Sequence, residues 1–150
     1  MPLSNRWTDD SGSSSLEFVT VGLVLMVPLV YLVVAMAAIQ GAALAVEGAA
    51  RQAARVFVLA PDLAQAEASA IRALEFALAD HGLESDAASL TVSCAPTPAN
   101  CLAPRSLVTV TVDIEVALPL VPSVIVGDFP LAIPLSATAT QQVSRFAGAL

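Results

Sequence analysis

One segment restricts how this 150-residue chain can fold: the 29 residues from Phe18 to Val46 carry no formal charge. About 20 apolar residues are enough to cross the hydrocarbon core of a bilayer. Between Phe18 and Ile39, 13 residues are Leu, Ile, Val or Phe, and together they favour membrane insertion by about 4 to 8 kcal/mol. The segment therefore predicts one transmembrane helix that anchors the chain in a lipid bilayer.

The helical pattern continues beyond the apolar segment. After Ile39 the sequence is rich in alanine, and Glu47 precedes Arg51 by four residues, which is the favourable order for an ion pair on a helix. We predict a helix over residues 13–59, about 70 Å long at 1.5 Å per residue. Pro28 lies inside it and is a possible point of kinking.

The next segment predicts a second helix, from Asp62 to His81. Asp62 with Gln65 three residues later resembles a capping box, and Gly82 is suited to end the helix. The expected apolar stripe, which would pack on a sheet, consists of Ile71, Leu74 and Leu78.

From Ser89 onward the hydrophobic period changes to two, which is typical of half-buried strands. Alternation is clearest from Val108 to Val116, and it returns from Leu131 to Val143 after a proline-containing connection. Three strands covered by a helix on one face can form a stable small sheet. The predicted fold class is α+β, with the second helix packed on a roughly three-stranded antiparallel sheet.

Composition argues against two classes of function. The net charge is −7 and all six basic residues are Arg, so no basic stripe is available for a nucleic acid. One histidine and the lack of a nucleophile motif or a phosphate-binding glycine loop leave only acids as catalytic candidates, and Asp113 and Glu115 fall on the predicted solvent face. We expect no enzyme activity and no catalytic, cofactor-binding or metal-binding residues.

The two cysteines, Cys94 and Cys101, flank a short stretch that contains proline, alanine and asparagine. A metal site would need more ligands at closer spacing, and His81 is 13 residues from Cys94. A disulfide closing a short loop is the preferred interpretation, with two free thiols as the alternative. A disulfide would place this part of the chain in an oxidising, extracytoplasmic compartment.

Glu17 is the acid at the edge of the uncharged segment, and two interpretations are open. It is either an ordinary acid near a helix start, where the helix dipole favours it, or one member of an ion pair. If the chain were cut after Gly12, the new ammonium group of Ser13 and the carboxylate of Glu17 would be one helical turn apart. The two charges could then neutralise each other in lipid, within a chain or between neighbours.

The residues G-S-S-S-L-E-F, followed by a long apolar helix, resemble the cleavage site of type IV pilin-like proteins. The rest of the chain is similar to TadE and TadF pseudopilins of tight-adherence, or Flp-type, pilus systems, especially the actinobacterial ones. The similar parts are the continuation through E-G-A-A-R-Q-A-A-R, the cysteine loop and the final A-T-A-T-x-x-V-x-R-F. The resemblance implies that a prepilin peptidase cuts between Gly12 and Ser13, and that Glu17 is the acid at mature position five. It also implies a leader (1–12), an anchoring and extended helix (13–59) and an extracytoplasmic domain (60–150).

The expected function is that of a minor pseudopilin in pilus assembly, with other pilus or pseudopilin subunits as partners and the N-terminus in the cytoplasm. Basic residues tend to stay on the cytoplasmic side of a membrane, and the chain has Arg6 before the anchor but Arg51 and Arg55 after it, which favours the opposite orientation. The cysteine pair and the resemblance instead place the C-terminal part outside. Two alternatives stay open: an uncleaved, signal-anchored subunit of another membrane or secretion complex, and a secreted binding domain released from its apolar segment.

Overall fold

The fold is described from a computed structural model, for residues 13–119 and 132–147. It confirms the predicted α+β class. The elements, in chain order, are helix α1 (Ser13–Leu59), helix α2 (Leu63–Ala79), a short 3-10 helix (Ser85–Ala87) and strands β1 (Ala88–Ala95), β2 (Leu107–Ala117) and β3 (Ala132–Gln142). By compactness the chain divides into two units, Met1–Met36 and Ala37–Leu150.

Helix α1 passes through Pro28 without a break in its helical assignment. Near its start, the hydroxyl of Thr20 donates to the carbonyl oxygen of Leu16 at 2.7 Å, so that this polar group is satisfied inside the apolar segment. Further along, the predicted ion pair is confirmed: Arg51 Nη2 lies 2.7 Å from Glu47 Oε2. Both side chains are largely exposed, so this pair adds little to stability.

The second half of α1 contributes small side chains to the core of the second unit. Its fully buried face ends at Phe57 and is otherwise almost entirely alanine, with Ala49, Ala50, Ala53 and Ala54 each 0% exposed. Alanine has no rotamer entropy to lose and takes up little space, so it lets neighbouring elements approach this face closely.

Helix α2 begins as predicted at an Asp62 cap, whose Oδ1 accepts from the N–H of Gln65 at 2.8 Å. It ends at Ala79, and Gly82 follows with a positive φ of 68°, which glycine adopts without strain. The predicted apolar stripe was wrong at one position. Ile71 is 47% exposed, because the buried face runs through Ala66, Ala70, Leu74 and Leu78 at four-residue spacing, and Ile71 lies at the edge of that face.

The three strands form one antiparallel sheet in the order β1-β2-β3. Register aligns Val92 with Val110 and Val110 with Ala139, so apolar side chains share one face. That face of the central strand is almost fully buried, whereas its counterparts on β1 and β3 are only partly covered. The buried residues of α1 from Val46 to Phe57 form a single hydrophobic cluster with those of α2 and β2, and the cluster also includes Val143.

Candidate functional site

The proposed processing site lies at the N-terminal end of α1. Gly12 and the expected leader lie outside the described residues, whereas Ser13 and Glu17 are both helical. Four residues of helix separate them by about 6 Å along the axis, and residues four apart share a helix face. Glu17 is exposed, between Leu16 and Phe18, which are 72% and 80% exposed.

The anchor segment presents large apolar side chains outward along its whole length. Within the part of the chain that the structure describes, α1 is the one helix long and apolar enough to cross a membrane. Soluble monomeric proteins rarely expose contiguous apolar surface of this extent, which is typical of a region that contacts lipid or protein. The exposed set in the first unit comprises Leu16, Phe18, Val19, Val21, Leu23, Val24, Leu25, Met26, Val27, Leu29, Val30, Leu32, Val33, Val34 and Met36.

Cys94 and Cys101 lie at disulfide distance, with their Cα atoms 5.2 Å apart. Cys94 is near the end of edge strand β1, and Cys101 follows a turn in which the N–H of Asn100 donates to the carbonyl oxygen of Thr97 at 3.1 Å. Both cysteines pack against the edge of the hydrophobic cluster. The bond thus fixes the end of an edge strand to the loop that leads towards β2.

The two acidic residues that the sequence analysis considered as catalytic candidates lie on the central strand of the sheet. Asp113 and Glu115 are exposed on the polar face of β2, as predicted, beside a shallow depression also lined by Ser89 and Ser136. No group of three or more His, Cys, Asp or Glu side chains lies close enough to hold a metal ion in residues 13–119 and 132–147.

The polar face of the sheet carries an arrangement that sequence patterning did not reveal. The hydroxyl oxygens of Thr109 and Thr140 are 2.9 Å apart, and those of Thr111 and Thr138 are 3.2 Å apart. Alternation placed all four threonines on one face, but only the register of β2 with β3 sets them opposite each other. Such cross-strand pairs each stabilise a sheet by roughly 0.2–1 kcal/mol.

Comparison of this chain with protein-family models, with curated proteins and with solved structures found no match.

Proposed function

We propose that this chain is a pilin-like membrane protein, a minor pseudopilin that is cut after Gly12 by a prepilin peptidase and takes part in assembling a tight-adherence pilus. The observation that carries the proposal is the five-residue spacing of Gly12, which directly precedes helix α1, and Glu17, which lies in the early part of α1 just ahead of its exposed large apolar side chains. The leader, the cleavage and the pilus partners follow from the resemblance of this segment to pilin-like proteins.

The position of Glu17 on α1 supports the proposal. A carboxylate that is drawn into a bilayer is costly and usually has a partner. Cleavage after Gly12 would create an ammonium group on Ser13, one turn away on the same helix face. Burying the two charges together costs less than burying either alone, and the same ammonium could serve the Glu17 of a neighbouring chain.

The exposed apolar half of α1 supports retention in the membrane after cleavage, because removing residues 1–12 leaves the anchor segment intact. The disulfide geometry of Cys94 and Cys101 favours an oxidising environment for the C-terminal domain. Together they suit a subunit with its N-terminus in the cytoplasm, its domain outside and its contacts with other pilus subunits made through helix and sheet.

The test is the N-terminal residue of the protein extracted from membranes of cells that possess the peptidase, determined by mass spectrometry. We expect wild type to begin at Ser13 and Gly12→Leu to keep its first 12 residues. Gly22→Leu is the matched control, since a Cβ at Gly22 meets nothing within 4 Å, and it should be cut as wild type is. A wild-type chain beginning at Met1 or Pro2 would contradict the proposal and favour the uncleaved, signal-anchored subunit. A soluble extracellular form lacking residues 18–39 would favour a secreted binding domain.

A further inference from the structure

Among residues 13–119 and 132–147, strands β1 and β3 are the two outer strands of the sheet, and neither contains a charged residue. The charges of the sheet lie instead on its central strand, at Asp113 and Glu115. Soluble proteins usually protect an edge strand with charged side chains, because unpaired backbone groups recruit further strands. In this sheet the charged residues lie on the central strand, whose backbone groups are already paired on both sides, and the edge strands lack them.

The two edges match each other in direction and length. Both pair antiparallel with β2, so β1 and β3 run in the same direction. β1 has eight residues. On β3, Pro134 cannot donate a ladder hydrogen bond, which leaves the eight residues from Leu135 to Gln142 available.

The side chains of the two edges are complementary on the apolar face. Shared partners on β2 place Leu90 in the same row as Ala137, and Val92 in the same row as Ala139. The large side chains are therefore on β1 and the small ones on β3. All four are only partly buried in the single chain, so a neighbouring strand could cover them further.

The polar face continues in the same way. Thr91 shares a row with Thr138, and Ser93 shares a row with Thr140, through Thr111 and Thr109 of β2. The hydroxyl pairs that already join β2 to β3 would be repeated across a new boundary if β3 of one chain met β1 of another in this register.

We propose that copies of this chain associate edge to edge, with β3 of one copy adding in parallel to β1 of a second copy, Thr138 beside Thr91 and Ala137 beside Leu90. A second copy is the partner because the chain's own two edges supply the matched lengths, the large-against-small contacts and the continued hydroxyl rows. The interface is heterologous, so each pair leaves one free edge of each kind and longer series can form. The inference does not depend on cleavage or on a pilus and applies equally to an uncleaved anchored subunit.

Disulfide trapping in membranes tests the pairing. In the full-length variant Thr91→Cys/Thr138→Cys, the two new thiols of one chain are separated by β2, about 9.6 Å apart at the usual strand spacing, too far for a bond within that chain. In two adjacent copies they lie side by side. With copper phenanthroline as oxidant, we expect dimers and higher multimers on non-reducing gels, at least tenfold more abundant than in either single variant.

Co-expression of a Thr91→Cys chain and a Thr138→Cys chain with different tags tests whether β1 of one chain pairs with β3 of another. The trapped product should then carry both tags. Ser93→Cys/Thr140→Cys tests the same register two residues along, should the first pair fail to accumulate. Trapping by Thr91→Cys alone or Thr138→Cys alone would overturn the heterologous pairing. A trapped adduct with the mass of another protein would overturn the choice of partner, and no multimers from either pair would overturn edge-to-edge association.

Discussion

The two halves of α1 use apolar residues in opposite ways. Up to Met36 the helix carries large side chains such as Phe18 and Leu25, and they are exposed. Beyond Ala37 the buried side chains are mostly alanine, and the large Leu44 is exposed while Ala45 and Ala49 are not. A hydrophobic helix can therefore either expose large side chains, as suits contact with lipid, or pack small side chains into a protein core. The volume of its side chains distinguishes the two cases.

The physical reason is what each half must contact. Lipid tails impose little shape on a helix, so bulky side chains all around it maximise favourable transfer from water. A protein core is close-packed, and a small side chain brings the neighbouring elements nearer. The comparison predicts that charge should disrupt the first half and loss of volume should disrupt the second.

The largest effect is expected from charges in the first half. Leu25→Arg/Leu29→Arg should cost about 6–8 kcal/mol of insertion free energy, since two leucines are lost as two arginines are added, and this is close to the total that the apolar segment supplies. Alkaline carbonate extraction of membranes should move the variant out of the pellet. The control, Leu59→Arg/Phe76→Arg, changes exposed apolar residues of the second unit and should stay in the pellet. Retention of the first variant at the wild-type level would contradict the membrane anchor.

A smaller effect is expected from a cavity in the second half. Phe57 is 0% exposed within the hydrophobic cluster, whereas Phe76 is 72% exposed. Phe57→Ala should lower the free energy of unfolding by about 3–5 kcal/mol, and Phe76→Ala should change it by less than about 0.5 kcal/mol. Denaturant unfolding of the full chain in detergent micelles measures both. Equal changes in the free energy of unfolding for the two substitutions would mean that Phe57 of α1 is not packed in this core.

The smallest of the three effects is expected from loss of the disulfide, which should change the stability of the second unit without changing membrane retention by the first half of α1. Cys94→Ser/Cys101→Ser should lower the free energy of unfolding by about 2.5 kcal/mol on the chain-entropy model for an eight-residue loop, and should leave retention in the carbonate pellet unchanged. The bond itself is checked by thiol alkylation with mass spectrometry of membranes. Alkylation of both cysteines without prior reduction would show free thiols and remove the argument for an oxidising compartment.

Much of the fold followed from local patterns. The cap at Asp62, the Glu47–Arg51 ion pair and the alternation on β2 are determined by residues close together in sequence, and the structure confirms each. The error at Ile71 has the opposite origin. Size and hydrophobicity suggested that Ile71 faces the core, but the buried face passes through alanines whose burial depends on distant elements.

The candidate sites divide along the same line. The roles of Gly12, Ser13 and Glu17 stay a prediction, which rests on their spacing around the start of an apolar segment and on the resemblance to pilin-like proteins. The pairing of Cys94 with Cys101 was predicted from the short stretch of sequence between them. The matched edges of the sheet could not be found in this way, because their shared rows depend on pairing each with β2.

The sequence by itself determined the apolar segment and the type and approximate limits of α1, α2 and the three strands, because hydrophobic period, helix caps and runs without charge act over a few neighbouring residues. Only the tertiary structure decided which apolar residues are buried, which threonines bond across strands and which two strands are left at the edges. Those outcomes depend on contacts between residues far apart in the chain, such as Thr109 with Thr140, and no local pattern specifies them.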